Sequence, residues 1–213
     1  MKKHWPLVGA LFSLFLFLIA ANLYPGGTMA SSNTVGYDWA NNTISALFQP
    51  NALNGDTNPA RYFAITAMFV YCLSLTFIFR RISKNSTSKV HQKIIQIAGI
   101  GFAVYAFLIV TPMHNLMVSI ALVFFIVTVV SMLHNLYLQK NNQLLVLGLA
   151  CISIPLINAT LYYGDFIYEI LPAVQKIGAV ACAVWFILVY YYDQRTIAIQ
   201  TVHKASASTG TRT

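Results

Sequence analysis

The residues of this chain that could do chemistry are polar and charged side chains placed near the ends of long apolar segments. They include carboxylates, an imidazole, a guanidinium and an amine, which suit either the binding of a polar or anionic group or a hydrolysis. Polar groups at membrane depth are costly and tend to face the interior of a helical bundle. We therefore expect one site formed by Asp38, Asn42, Ser45, Arg61, His114, Asn158, Tyr162, Asp165, Glu169 and Lys176.

Hydrolysis is the more demanding of these chemistries. Catalytic zinc usually takes three protein ligands and a water, but His114 is the only histidine expected on the side of this cluster. The others fall on the opposite side: His4, His91, His134 and His203. A serine hydrolase would need Ser45 with His114 and an acid, and the chain lacks a GxSxG sequence. Hydrolysis therefore stays an alternative, and we predict no metal or cofactor.

Lys176 is the most informative single residue of the cluster. It lies a few residues inside an apolar run, on the side of the chain with the fewest positive charges. Its long side chain could reach the headgroup level or pair with Asp165 or Glu169. It could equally bind an anion, so both interpretations stay open.

The elements that must position these residues are membrane helices. Of 213 residues, 58% are hydrophobic and 8% are charged, whereas a soluble domain carries about 25% charged residues. Such a chain cannot cover a water-facing surface. The net charge of +8 does not indicate nucleic-acid binding, because the basic residues are spread over the ends of apolar segments.

The apolar runs predict an all-α, polytopic membrane protein with a six-transmembrane-helix bundle, since a spanning helix needs roughly 20 apolar residues. The predicted spans are 5–24, 60–80, 91–111, 114–138, 142–163 and 172–192. They form a single domain over residues 1–195, followed by a disordered cytoplasmic tail over 196–213. The positive-inside rule places both termini in the cytoplasm of a multi-pass protein of the cell membrane, because only Arg61 and Lys176 of the 13 basic residues fall outside.

The first span could also be a cleaved signal peptide. Cleavage after Ala21 would place Ile19 at a position that requires a small residue, and the apolar core is long for a signal. An uncleaved anchor is therefore favoured, and cleavage stays the alternative.

The segment YDWANNTISALFQP, residues 37–50, lies between the first two spans. Ile44, Leu47 and Phe48 follow helical spacing, and Trp39 fits that face only partly. Asn41 or Asn42 could cap the helix. We predict a short amphipathic helix that is either a structural lid or one wall of the polar site.

Four stretches carry a resemblance to a known family: YPGG, NNTISAL, TPMH and PAVQKIGAVACAVWFILV. Together they resemble an uncharacterised prokaryotic family of six-helix membrane proteins, known as domain of unknown function 998. The resemblance covers nearly the whole chain and maps the family's features onto Tyr24-Pro25, Asn42, Ser45 and His114. It implies a distant similarity to membrane hydrolases of the alkaline ceramidase type. The chain also resembles Frag/DRAM-type six-helix proteins, which is a competing assignment.

These observations predict an integral membrane protein that binds a lipid or other amphiphile in an outward-facing pocket roofed by residues 37–50. The alternative is a membrane-embedded lipid hydrolase that uses the same pocket. The expected partners are the bilayer and that ligand, with no nucleic acid. The sequence leaves the ligand's identity and the oligomeric state open.

Overall fold

The computed structural model describes residues 4–164 and 170–209, with side chains described as far as Gln194. The described part is all-helical, without a β-strand. Its helices are α1 (Trp5–Leu23), α2 (Ala60–Lys84), α3 (Lys89–Leu108), α4 (His114–Leu138), α5 (Asn142–Tyr163), α6 (Leu171–Thr209) and one 3-10 helix (Ile44–Phe48). The predicted fold class is confirmed at this level.

Local sequence signals set several of the helix ends. Pro6 occupies the first turn of α1, where its missing N–H has no intrahelical partner to lose. The Ser88 side chain caps α3 by accepting from the His91 backbone N–H at 3.2 Å. Asn141 does the same for α5, with Leu144 as the donor at 3.1 Å. These caps satisfy N–H groups that a helix start would otherwise leave unpaired.

Five of the six α-helices in the described part are long and apolar enough to cross a membrane. They are α1, α2, α4, α5 and the Leu171–Gln194 portion of α6. The remaining helix, α3, has 20 residues and begins with the polar stretch KVHQK. The sequence prediction of six spans is thus confirmed for five. The five helices qualify by their length and composition.

The helices pack as neighbours in chain order, with α6 also contacting α2. One apolar core lies between α2, α3, α4, α5 and α6. Trp185 and Phe186 of α6 are fully buried there, and the Phe186 ring meets Phe79 of α2 edge-on with centroids 4.9 Å apart. Trp185 donates its indole N–H to the Leu144 carbonyl of α5 at 2.9 Å. The three cysteines are free and buried.

α5 depends on one glycine to reach this core. A side chain at Gly148 would collide with the Trp185 ring and with Leu133.

α6 continues to Thr209. A helix that leaves a bundle is marginal in water without tertiary contacts, so the disordered tail over 196–213 stays a prediction.

Candidate functional site

The first connection, residues 24–59 between α1 and α2, is folded over one end of the bundle, which we call the roofed end. Its own apolar cluster includes Tyr24, Leu47 and Phe48, which pack with the end of α1 and the start of α2. The Tyr24 hydroxyl accepts the Leu53 backbone N–H at 3.0 Å. Gly27 has φ +85°, and a Cβ there would collide with the Leu53–Asn54 backbone. The connection therefore has a defined fold that closes on itself.

Asn42 is the buried centre of the roof, residues 37–50. It is 0% exposed. Its side-chain oxygen accepts the Asp38 backbone N–H at 2.8 Å, and its amide donates to the Gly27 carbonyl at 2.8 Å. Its own carbonyl accepts the Tyr37 hydroxyl at 3.1 Å. Asn42 therefore has a structural role, because its side chain is fully buried and both of its polar atoms bond to the backbone of the connection.

Asn58 plays a similar part at the far edge of the roof. Its amide nitrogen lies 2.9 Å from the Gln49 carbonyl and within 3.4 Å of those of Ala46 and Leu47. Its side-chain oxygen accepts the Ala60 N–H at 3.1 Å, at the start of α2. One buried side chain thus joins the 3-10 helix to the second span. Asn58 was not among the predicted site residues, although an Asn just before Pro59 is a helix-start signal.

The predicted amphipathic helix of the roof is present only as the 3-10 helix, Ile44–Phe48. Leu47 and Phe48 are buried, whereas Trp39 lies outside the helix and is largely exposed. The cap predicted at Asn41 or Asn42 is wrong: the N-cap is Thr43, without a side-chain cap bond. Asn42 turns inward because two backbone groups of the connection would otherwise be buried without partners.

Side chains of α6 hold the roof by bonding to the roof's main-chain atoms. The Gln175 side-chain oxygen accepts the Ile44 N–H at 2.9 Å. The Lys176 ammonium donates to the Asn42 carbonyl, and to the Pro172 carbonyl at 3.1 Å. It also lies 5.6 Å from the centroid of the Tyr37 ring, within cation–π range. Lys176 is thus a clamp between α6 and the roof. The acids predicted as its partners, Asp165 and Glu169, lie outside the described residues.

Replacing Lys176 with alanine is expected to loosen the roof while the bundle stays folded. A hydrogen bond to a charged group contributes roughly 1.5–3 kcal/mol, so local opening should rise about tenfold or more. Hydrogen–deuterium exchange of peptides covering 37–50 measures this directly. Lys176→Arg keeps a donor and should retain most of the protection. Lys84→Ala, at the other end of the bundle, is the control. Equal loss of protection over residues 37–50 in Lys84→Ala would contradict the clamp.

Asp38 and Ser45 are occupied within the roof. One Asp38 oxygen accepts the Ala40 and Asn41 backbone N–H groups, and the other accepts the Asn41 side-chain amide at 2.8 Å. The Asn41 amide, followed by the Ala40 N–H, holds the pKa of Asp38 below its usual value. Ser45 pairs with the Thr43 hydroxyl at 2.9 Å. Neither side chain contacts His114 by a hydrogen bond in the described part, so the hypothetical serine triad is not assembled there.

A second polar cluster, which we call the α4–α5 cleft, lies where α4 begins and α5 ends. Asn115 is its hub: its side-chain oxygen accepts the Tyr162 hydroxyl at 2.8 Å and lies 3.0 Å from His114 Nδ1. Asn158 precedes Tyr162 by one helical turn and shares its face. Asn115 was missed by sequence reasoning, and its position beside His114 was the only available signal.

Three buried polar atoms near the roofed end have no hydrogen-bond partner among the described residues. They are His114 Nε2, Asn158 Oδ1 and Arg61 Nε. Buried polar atoms nearly always have a partner in protein, water or ligand. His114 belongs to the α4–α5 cleft, Asn158 lies on α5 one helical turn before Tyr162, and Arg61 is on α2. An occupant of this region could satisfy the imidazole nitrogen and the amide oxygen.

The predicted site thus resolves into two groups. Asp38, Asn42 and Ser45 belong to the roof, which Lys176 holds from α6. His114 and Tyr162 meet at Asn115, with Asn158 one helical turn before Tyr162. No hydrogen bond within the described ranges joins the two groups, and those ranges hold no set of three or more His, Cys, Asp or Glu side chains that could hold a metal. Comparison of the chain with protein-family models, curated proteins and solved structures found no match.

Proposed function

We propose that the chain is a six-span protein of the cytoplasmic membrane that binds the polar head of a lipid or other amphiphile at its outer face. Five helices that qualify as spans support the membrane assignment. α3 completes the set because it packs against both α2 and α4 and its 20 residues extend roughly 30 Å. The resemblance to the uncharacterised six-helix family agrees with this architecture.

The orientation follows from the basic residues. The end of the bundle opposite the roof, which we call the basic end, carries Arg80, Arg81, Lys84, Lys89 and Lys93. Lys and Arg are enriched in cytoplasmic loops. The roofed end therefore faces outward, and the α4–α5 cleft opens at the outer headgroup level.

The observation that carries the binding proposal is the pair of unpaired buried atoms in the cleft, His114 Nε2 and Asn158 Oδ1. An amide oxygen only accepts hydrogen bonds, so the occupant must supply a donor such as a hydroxyl or an amine. Leu116 of α4 and Leu156 and Ile157 of α5 are exposed toward the same end of the bundle. An amphiphile with a hydroxyl- or amine-bearing head and an apolar tail satisfies both surfaces.

The substitutions His114→Ala and Asn158→Leu are expected to lower the amount of amphiphile that copurifies with the protein by roughly fivefold each, about 1 kcal/mol of binding free energy. Native mass spectrometry of protein purified in mild detergent measures the bound fraction. His4→Ala and Asn22→Leu are matched controls, because both residues are exposed and lie away from the cleft. A parent protein that carries no amphiphile, or cleft variants that retain as much as the controls, would contradict the proposal.

The alternative function is a membrane-embedded lipid hydrolase that uses the same cleft. One observation favours it: His114 Nε2 is unpaired, and a general base needs an available nitrogen within reach of the proton it removes. Hydrolysis of fluorogenic lipid esters and amides by the same purified samples tests it. Turnover by the parent that is lost in His114→Ala supports an enzyme. Bound amphiphile without turnover supports binding alone.

A further inference from the structure

α3 and α4 meet at the basic end through a pair of histidines. Nε2 of His91 lies 2.8 Å from Nδ1 of His134, and the ring centroids are 4.8 Å apart. The other nitrogen of His91, Nδ1, lies 2.6 Å from the Ser88 hydroxyl. Nε2 of His134 has no hydrogen-bond partner among the side chains that the structure describes, and this ring is exposed. The pair thus presents one available ring nitrogen at the surface.

The turn before α3 fixes this pair in place. The buried side-chain oxygen of Asn135 accepts both the backbone N–H and the hydroxyl of Thr87, at 2.9 and 3.0 Å. Ser88 follows directly and caps α3. Asn135 also neighbours His134 on α4, so one buried amide positions both sides of the pair. Because these hydrogen bonds fix both sides, the histidine pair is a defined part of the fold.

A groove of about 420 Å³ runs from the two histidines toward the middle of the bundle. Its walls are almost wholly aliphatic, formed by Ile94 of α3 and Ile126, Val127 and Val130 of α4. Ser131 also lines it. That side chain is 7% exposed, and its hydroxyl has no hydrogen-bond partner in the described part of the chain. The groove therefore combines an apolar floor with one unsatisfied buried hydroxyl.

We propose that this groove binds one anionic glycerophospholipid of the cytoplasmic leaflet. The phosphate accepts a hydrogen bond from His134 at the mouth, and the Ser131 hydroxyl donates to an ester carbonyl of the glycerol. Ser131 lies three residues before His134, which is roughly 4.5 Å deeper along the helix and suits the step from phosphate to ester. The acyl chain then lies along Val130 and Val127. The choice of leaflet rests on the orientation proposed above, whereas the site itself does not depend on the α4–α5 cleft.

The positive charge at the basic end favours an anionic occupant. Lys89 and Lys93 lie two residues before and after His91 on α3, and Arg80, Arg81 and Lys84 end α2 at the same end of the bundle. These side chains do not line the groove, so they act as a nearby positive surface. A basic residue near an anionic leaflet contributes about 1 kcal/mol of attraction. A zwitterionic lipid would bring its ammonium group into the same positive surroundings. A zinc ion is a poorer occupant, because the described residues supply two ligands where zinc sites use three or four.

Nanodiscs or detergent samples with defined lipids test the site by native mass spectrometry. The parent is expected to retain phosphatidylglycerol over phosphatidylcholine by roughly fivefold or more, and the double variant His91→Ala/His134→Ala should lose most of that preference. Val130→Trp fills the groove and should lower the retention of both lipids, because the groove can then hold neither. Val184→Trp is the matched control, because Val184 on α6 is 50% exposed and Val130 is 52% exposed. Circular dichroism confirms that each variant is folded.

Ser131 has its own test. The parent is expected to prefer diester over diether phosphatidylglycerol, and Ser131→Ala should remove that difference because the ether lipid lacks the carbonyl. Asn22→Leu, which changes an exposed side chain on α1, should leave all of these ratios unchanged. The proposal is overturned by an unchanged lipid preference in the double histidine variant, or by equal losses in Val130→Trp and Val184→Trp. Displacement of the lipid by millimolar inorganic phosphate, or stoichiometric zinc binding without a lipid preference, would also overturn it.

Discussion

Trp185→Ala is expected to be the most destabilising single substitution discussed for this chain, lowering the free energy of unfolding by about 3–5 kcal/mol. The side chain is fully buried among α2, α4, α5 and α6. Its loss leaves a large cavity and removes the hydrogen bond to the Leu144 carbonyl. For a chain of this length such a loss corresponds to a fall in Tm of roughly 10 °C. Thermal unfolding followed by circular dichroism in detergent measures it.

Two further variants show whether packing or the hydrogen bond carries this effect. Trp5→Ala removes the same side chain from a position that is 63% exposed, and its Tm should stay close to that of the parent. Trp185→Phe keeps much of the ring volume but cannot donate to Leu144, so an intermediate shift is expected. If Trp5→Ala and Trp185→Ala shift Tm equally, the buried core described for the bundle is wrong.

Asn42→Ala is expected to lower the free energy of unfolding by roughly 2–4 kcal/mol, because it leaves the buried Gly27 carbonyl and the partly buried Asp38 N–H without their partners. The damage should fall on the first connection. Hydrogen exchange across residues 24–59 should accelerate, while α3, α4 and α5 keep their protection. Asn42→Asp keeps the accepting oxygen but loses the donor to Gly27, so it should also destabilise the connection.

The neighbouring asparagine provides the control for this prediction. Asn41 is exposed, and its side chain donates to Asp38 at the surface. Asn41→Ala should therefore change exchange rates little beyond the Asp38 turn. Equal acceleration in Asn41→Ala and Asn42→Ala would show that burial of the Asn42 amide is not what holds the connection together.

The sequence predicts the helices well where apolar composition alone decides the structure. The predicted spans 114–138 and 142–163 coincide with α4 and α5, because each run is predominantly apolar and bounded by polar residues. α3 begins earlier and ends earlier than the predicted span 91–111. Ser88 caps it at the start, a local hydrogen bond that hydropathy does not detect. The roof was predicted as one short helix, and its tight turns come from buried polar contacts rather than from periodicity.

The candidate site was harder to predict, because residue types do not reveal their partners. Lys176 reaches a carbonyl 134 residues away in the chain, and only the packing of α6 against the roof brings the two together. The sequence grouped Asp38 and His114 as parts of one centre, whereas the described contacts assign Asp38 to the roof and His114 to the cleft. The sequence analysis placed His91 and His134 apart from the predicted site, but nothing in their spacing predicts that they touch.

The way in which the roof is held bears on how this chain can evolve. The roof is held through hydrogen bonds to its main-chain atoms, made by Gln175, Lys176 and Asn58. Every residue except proline offers the same N–H and carbonyl. Exposed residues such as Trp39 and Asn41 can therefore be substituted without loss of these hydrogen bonds. Selection acting on the outer surface could change those side chains while the backbone conformation of the roof stays the same.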